Sequence, residues 1–161
     1  MLCSKTAGMA QGLLKLNSVD LITDGFPKRC PKKGRDFAMA KILIVDDERD
    51  VVLVIRTLLS QNGHESCEAP NGLAALRLFQ SQYFDLIITD LRMPNMDGLA
   101  FLREIKKLDK AIPVIVLTAF AAPDTAAEAM EIGAAIYLPK PFKANELLHV
   151  INRVLGTGKR R

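Results

Sequence analysis

The feature that most constrains the fold is an alternation of short apolar runs with longer amphipathic segments, repeated five times from Lys41 onward in a chain of 161 residues. Most of the runs are continuous in Val, Ile and Leu, as expected for strands covered on both faces. The segments between them have helical length, and their apolar residues recur on one helical face. Such βα repeats predict a parallel sheet with right-handed crossovers and helices on both sides.

The pattern also predicts approximate bounds for each element. The expected strands are Lys41–Val45, Glu65–Glu68, Leu86–Thr89, Val114–Leu117 and Ala135–Leu138. The expected helices are Glu48–Asn62, Asn71–Ser81, Leu99–Leu108, Asp124–Ile132 and Lys143–Leu155. The second strand is the most polar, which places it near an edge of the sheet. Gly63 and Gly133 are typical of helix C-termini, and Asp97 is suited to capping the third helix.

Charge divides the chain into three parts. Residues 1–38 contain seven Lys and Arg against three Asp, which accounts for the whole net charge of +4, so residues 39–161 are neutral overall. We expect residues 1–38 to be a basic, disordered leader, or to precede a true start at Met39. Residues 39–156 form the predicted domain, and residues 157–161 form a short basic tail. A neutral domain does not favour direct DNA binding.

Hydropathy and cysteine usage limit the cellular setting. No apolar run approaches the roughly 18–20 residues that would span a bilayer, so membrane insertion is not expected. Three widely spaced cysteines, with no CxxC pair, favour a reducing, cytoplasmic location.

Chemically notable residues follow four of the five predicted strands. Asp46 and Asp47 follow the first strand, and Asp90 follows the third. Thr118 and Lys140 follow the fourth and fifth. Because reactive sites in parallel sheets lie beyond the carboxyl ends of the strands, we expect these side chains to converge at one edge.

Carboxylates that converge in this way persist if a cation neutralises them or if one of them is protonated. At about 5 Å and an effective dielectric near 20, each pair of carboxylates repels by roughly 3 kcal/mol. Oxygen-only ligands favour Mg²⁺, or Mn²⁺, over zinc. Asp90 is the predicted nucleophile, whose attack on phosphorus would form an acyl phosphate. Lys140 and Thr118 would then contact the phosphoryl oxygens.

Four separate stretches resemble the receiver domains of bacterial two-component response regulators, over about residues 40–156. They are Ile42–Glu48 (ILIVDDE), Asp85–Leu99 (DLIITDLRMPNMDGL), Leu117–Ala119 (LTA) and Tyr137–Phe142 (YLPKPF). The resemblance implies a flavodoxin-like, doubly wound (βα)5 sandwich of three layers. Its five-stranded parallel sheet would have the order 2-1-3-4-5.

The resemblance also implies roles for individual residues. Asp46 and Asp47 would be the acidic metal-binding pair, and Asp90 would be both phosphoacceptor and metal ligand. The backbone carbonyl of Arg92 would complete the protein's share of the Mg²⁺ shell. Thr118 and Lys140 would contact the phosphoryl group.

Further expectations concern the switch, its partners and its assembly. Tyr137 would turn inward as Thr118 moves toward the phosphate, and the Lys140–Pro141 bond would be cis. The phosphoryl donor would be a histidine kinase or a histidine phosphotransfer protein. The output would pass to a protein partner through the face formed by the fourth helix, the fifth strand and the fifth helix. The domain would be a monomer or a phosphorylation-dependent dimer. It is expected to stand alone, unless this chain is a fragment of a longer regulator, because only residues 156–161 follow the last predicted helix.

The sequence disfavours two other classes of protein. A magnesium-dependent aspartyl phosphatase would want a second carboxylate two residues after the nucleophile, where this chain has Arg92. A flavin-binding protein of the same fold class would want Gly, Ser and backbone amides after the first strand, where this chain is acidic. We therefore expect a signalling domain rather than an enzyme, with only self-phosphorylation and self-dephosphorylation chemistry.

Overall fold

The structure is a computed structural model that describes residues 39–119 and 122–157. The predicted leader, residues 1–38, lies outside the described residues, as does the tail from residue 158 onward. The described part contains five strands and five helices in strict alternation. The strands are β1 (Lys41–Val45), β2 (Glu65–Ala69), β3 (Leu86–Asp90), β4 (Val114–Thr118) and β5 (Ile136–Pro139). The helices are α1 (Arg49–Gln61), α2 (Gly72–Ser81), α3 (Gly98–Leu108), α4 (Pro123–Ile132) and α5 (Ala144–Thr157).

All strand pairs are parallel, and the sheet has the order β2-β1-β3-β4-β5, which confirms the predicted fold class. The polar strand β2 lies at an edge, as its composition predicted. Because every strand runs in the same direction, the carboxyl ends of β1, β3, β4 and β5 lie together at one end of the sheet.

Strands β2, β3, β4 and β5 each end one residue later than predicted, and the later ends of β3 and β4 affect the site. Asp90 is the last residue of β3 and pairs with Leu117 of β4. Thr118 is the last residue of β4 and pairs with Pro139 of β5. Hydrogen bonding to neighbouring strands thus continues to the residues that carry the polar groups, which fixes their backbone within the sheet.

Two apolar layers cover the sheet, one on each face. One layer packs α2, α3 and α4 against strand residues that include Leu43, Ile87 and Val116. The other layer packs α1 and α5 against the strand residues on the opposite face of the sheet, which include Ile44 and Ile88. Each fully buried Leu, Ile or Val contributes roughly 1.5–3 kcal/mol relative to an exposed one, so burial on both faces holds the sheet edge rigid. In the described part of the chain, no helix is both long enough and apolar enough to cross a membrane.

Local signals set the helix ends. The Asn71 side chain accepts a hydrogen bond from the Ala74 amide, and the Asp97 side chain accepts one from the Ala100 amide, so both act as N-caps. Gly133 ends α4 in the left-handed conformation with φ of 117°, which glycine adopts without steric cost. These caps confirm the predictions for Asp97 and Gly133.

We predict that Gly98→Ala strongly destabilises the domain. A Cβ at this position would collide with the Asp90 carbonyl oxygen and lie 2.7 Å from Leu91 Cα. Overpacking of this kind costs about 1–3 kcal/mol, and the rigid strand end leaves little room for relaxation. Urea unfolding should show that the free energy of unfolding decreases by an amount near the upper end of that range. Gly156→Ala is the control, because nothing lies within 4 Å of an added Cβ there and alanine favours a helix. Equal stability of the two variants would contradict the packing argument.

A second prediction concerns His64, which is buried between α1 and β2. Its Nδ1 accepts a hydrogen bond from the Ala40 amide at 3.2 Å, and burial lowers the pKa of the imidazole. As pH falls, the unfolded chain therefore binds a proton on His64 at a higher pH than the folded protein does. The contribution of neutral His64 to the free energy of unfolding consequently decreases as pH drops below about 6.5. The slope from one such group is at most about 1.4 kcal/mol per pH unit.

The measurement is the free energy of unfolding between pH 7.5 and 5, compared between wild type and His64→Asn. The variant should lose part of the pH dependence while its amide oxygen replaces the Nδ1 acceptor. His149→Gln, a change in the exposed histidine of α5, should keep the wild-type slope. If the free energy of unfolding of His64→Asn changes with pH as steeply as that of wild type, the imidazole of His64 is not neutral and buried as the structure indicates.

Candidate functional site

A lysine and three carboxylates meet beyond the carboxyl ends of β1, β3 and β5. The Lys140 ammonium lies 2.7 Å from Asp46 Oδ2 and 3.2 Å from Asp90 Oδ2. It also lies 3.2 Å from Glu48 Oε1. The side chains of Lys140, Asp46 and Asp90 are almost fully buried, whereas that of Glu48 is 58% exposed.

The Asp90 carboxylate is held from two directions. Its Oδ1 accepts a hydrogen bond from the Leu91 amide at 2.6 Å, and its Oδ2 accepts one from Lys140. Because the backbone is fixed by the β3–β4 pairing, the carboxylate has a defined position at the mouth of the site. A buried carboxylate held in this way is oriented for attack on an electrophile.

Asp46 anchors the loop after β1. Its Oδ1 accepts a hydrogen bond from the Glu48 amide at 2.9 Å, while its Oδ2 pairs with Lys140. This bond turns the chain between β1 and α1, so that the Glu48 side chain reaches Lys140 from the solvent side.

The charges of the site oppose one another. Burial raises the pKa of the Asp46 carboxyl, against the hydrogen bonds from Lys140 and the Glu48 amide that favour its ionised form. Burial by itself would lower the pKa of the Lys140 ammonium, but the hydrogen bond and charge of Asp46, and then the charge of Asp90, raise it. Lys140 therefore stays protonated and neutralises the carboxylates around it.

Thr118 and Tyr137 lie beside this group on β4 and β5. Thr118 is fully buried, and its carbonyl accepts a hydrogen bond from the Lys140 amide at 2.8 Å. Tyr137 is half-buried and packs against the layer formed by α2, α3 and α4. Burial, and then the negative charge of Asp90, raise the pKa of its hydroxyl. The Lys140–Pro141 peptide bond is cis.

Asp47 and Arg92 lie on another side of the site. Both line an open cavity of about 760 Å³ between the loops that follow β3 and β4, together with apolar residues such as Leu91 and Met93. Asp47 is exposed and is not among the carboxylates that contact Lys140. The structure therefore brings Asp46, Asp90 and Lys140 into direct contact, and places Asp47 and Arg92 at the adjoining cavity.

Glu48 is the contact residue that sequence reasoning missed. Oxygens of Asp46, Glu48 and Asp90 lie within 4.8 Å of one another, which makes these residues a possible cation site in the described part of the chain. The signal in the sequence was present, because Glu48 directly follows the Asp46-Asp47 pair. The direction of the Glu48 side chain, however, depends on the turn that the Asp46 side chain stabilises.

Comparison with known proteins gives a consistent result. The family described as response regulator receiver domain matches residues 42–152. A crystal structure of a receiver domain protein from Clostridium thermocellum superimposes with a TM-score of 0.70 at 39% identity, covering 74% of this chain and 97% of that one.

Curated relatives are of two lengths. The chain is 42% identical over 118 residues to the regulatory protein AtoC of Escherichia coli, covering 73% of this chain but only 26% of AtoC. It is 34% identical over 115 residues to sporulation initiation phosphotransferase F of Bacillus subtilis, covering 71% of this chain and 93% of that relative. The chain thus spans about a quarter of AtoC and nearly all of the shorter relative. With a family match over more than half of its length, the chain belongs to the response regulator receiver domains of two-component systems.

Proposed function

We propose that Asp90 accepts a phosphoryl group from a phosphohistidine and that this modification changes the affinity of the domain for protein partners. The observation that carries the proposal is the placement of the Asp90 carboxylate, which is buried and held between the Leu91 amide and the Lys140 ammonium. The resemblance to receiver domains assigns the phosphoacceptor role to this same residue.

The transfer step requires little covalent chemistry from the protein. A carboxylate oxygen of Asp90 forms a bond to phosphorus while the bond from phosphorus to the donor nitrogen breaks, and the electron pair of that bond remains on the imidazole. The product is a mixed anhydride on Asp90. Catalysis then consists of positioning and of neutralising charge on the phosphoryl oxygens, for which Lys140 supplies an ammonium and Thr118 a hydroxyl.

The donor set of the site suits a hard divalent cation. Carboxylate oxygens of Asp46, Glu48 and Asp90 lie within 4.8 Å of one another, and no His or Cys belongs to this group. We assign Mg²⁺, with Mn²⁺ as a possible substitute, to Asp46, Asp47, Asp90 and the Arg92 carbonyl. When bound, the ion would orient the phosphoryl group and offset its charge. Binding by Asp47 requires its exposed side chain to turn toward Asp90.

The proposed response involves Thr118 and Tyr137. Movement of the Thr118 hydroxyl toward the phosphoryl group would open space into which the Tyr137 ring turns. The surface formed by α4, β5 and α5 would change with it. A phosphoryl group shifts this equilibrium only by the difference in its stabilisation of the two states.

The donor is proposed to be a histidine kinase or a histidine phosphotransfer protein. The output would be a protein contact or onward phosphotransfer, and the domain would act as a monomer or as a dimer formed on phosphorylation. ZraR of Escherichia coli is called a transcriptional regulatory protein, and this chain covers 26% of it. The absence of direct DNA binding and the cytoplasmic location stay predictions for this chain.

An aspartyl phosphatase is the alternative function for the same carboxylate. It requires an acid or base that returns Asp90 quickly to its free form, and residue 92 is an exposed arginine. Multiple-turnover hydrolysis of p-nitrophenyl phosphate in the presence of Mg²⁺ would favour the phosphatase. We expect at most a single modification per protein molecule.

The central prediction is that acetyl phosphate adds one phosphoryl group to the protein in the presence of Mg²⁺. Intact mass should show a single adduct that hydroxylamine removes, because an acyl phosphate is a reactive anhydride. Chelation of Mg²⁺ should abolish the adduct, and Asp90→Asn should remove it because an amide is a poor nucleophile.

Asp109→Asn is the matched control, because its site is remote and its side-chain oxygen can still accept the hydrogen bonds from the Ala111 and Ile112 amides. This variant lies in the loop before β4, at the opposite edge of the sheet, and should be phosphorylated as wild type is. An adduct that persists in Asp90→Asn, or that forms equally well without Mg²⁺, would contradict the proposal.

A further inference from the structure

Every hydrogen-bond donor of the Lys140 ammonium is engaged by a carboxylate. A lysine ammonium has three N–H groups, and Lys140 donates to Asp46 Oδ2, Glu48 Oε1 and Asp90 Oδ2. No donor of Lys140 therefore remains for a phosphoryl oxygen. If Lys140 is to contact the phosphoryl group, one of these three bonds has to be released first.

The three bonds differ in what their release would leave behind. Before transfer and without a bound cation, loss of the ammonium would leave either the Asp46 or the Asp90 carboxylate poorly solvated, because their side chains are only 3% and 7% exposed. The Glu48 side chain is 58% exposed, and water can replace the ammonium as its partner. The bond to Glu48 is consequently the one that is released most easily.

We infer that Glu48 is a positioning residue that holds the third donor of Lys140 in the unphosphorylated protein and gives it up to the phosphoryl group. This inference rests on the proposed function and adds a residue outside the predicted set of site residues. Glu48 thereby competes with the incoming phosphoryl oxygen for the same N–H group.

The competition has an asymmetric kinetic consequence. Before transfer, the Glu48 bond stabilises the ground state, so its removal should speed phosphorylation. After transfer, the Glu48 carboxylate already lies in water, both in the phosphorylated protein and in the transition state for its hydrolysis. Removal of the carboxylate should therefore leave the lifetime of the phosphorylated protein nearly unchanged.

Glu48 can be substituted without removing a helix cap. It occupies the N-cap position of α1, but its side chain makes no capping hydrogen bond there. Its backbone carbonyl accepts from the Val52 amide, and its own amide donates to Asp46, and both bonds survive a change of side chain. Circular dichroism and thermal unfolding of each variant would verify that the fold is kept.

The experiment measures phosphorylation by acetyl phosphate and Mg²⁺ over a range of donor concentrations, and then the decay of the adduct after the donor is removed. We expect Glu48→Ala to raise the rate of phosphorylation about two- to fivefold, the range that corresponds to loss of an exposed ion pair. The decay rate should stay within about twofold of wild type, because the ion pair is absent from both states that set it.

Two variants separate pairing from simple charge. Glu48→Asp keeps the charge, but its shorter side chain is pulled toward the free amides of α1, where Asp is a favoured N-cap, and away from Lys140. It should therefore react faster than wild type. Asp50→Asn removes one negative charge from the exposed first turn of α1, without contact to Lys140, and should match wild type.

The results distinguish failure of the inference from failure of the proposed function. If wild-type protein gains no phosphoryl group on Asp90, the proposed function fails and the inference falls with it. If wild type is phosphorylated but Glu48→Ala reacts at the wild-type rate, only the inference is overturned. A Glu48→Asp variant that behaves as wild type does, or an Asp50→Asn variant as fast as Glu48→Ala, would likewise overturn it in favour of through-space repulsion.

Discussion

The interaction on which the site depends is the pairing of one buried ammonium with carboxylates from two different strand ends. Asp46 and Asp90 lie in a region from which water is largely excluded, where two like charges repel by several kcal/mol at close range. Lys140, brought in by β5, makes their coexistence possible. The rest of the fold serves this arrangement, because a parallel sheet delivers residues that are far apart in the chain to one edge. A shift of one residue in the β1–β3, β3–β4 or β4–β5 register would separate the charges.

The rigidity of that edge comes from packing on both faces of the sheet. Strands β1, β3 and β4 are almost entirely buried, and α1 and α5 on one side, with α2, α3 and α4 on the other, leave the strands no freedom to slide. The loop after β3 is drawn tightly across the end of its own strand, since the Gly98 amide bonds to the Leu91 carbonyl at 2.8 Å. Order in the core is thus transmitted to the loops that carry the polar groups.

Sequence reasoning predicted most of this architecture, for identifiable reasons. The repeated βα pattern and the continuous Val and Ile runs predicted the parallel sheet. The positions of Asp46, Asp90 and Lys140 directly after their strands predicted that these side chains meet at the carboxyl end of the sheet. It did not predict the end of β3 at Asp90, because the length of a strand depends on its neighbour's register and not on its own composition. Nor did it predict the contact between Glu48 and Lys140, since residues 92 positions apart meet only through the turn after β1. The structure shows where these side chains lie, and the roles that the family resemblance implies stay predictions for every site residue: Asp46, Asp47, Asp90, Arg92, Thr118, Tyr137 and Lys140.

The two borders of the sheet give the domain a further property. An outer strand normally exposes unpaired backbone groups that can recruit a strand from another molecule, which is a route to aggregation. Here β2 carries exposed glutamates at residues 65 and 68, whose charges resist such recruitment. At the opposite border, β5 ends in Pro139, and Pro141 follows shortly after, and proline has no backbone N–H to offer. Both borders of the sheet thus disfavour fibrous self-association.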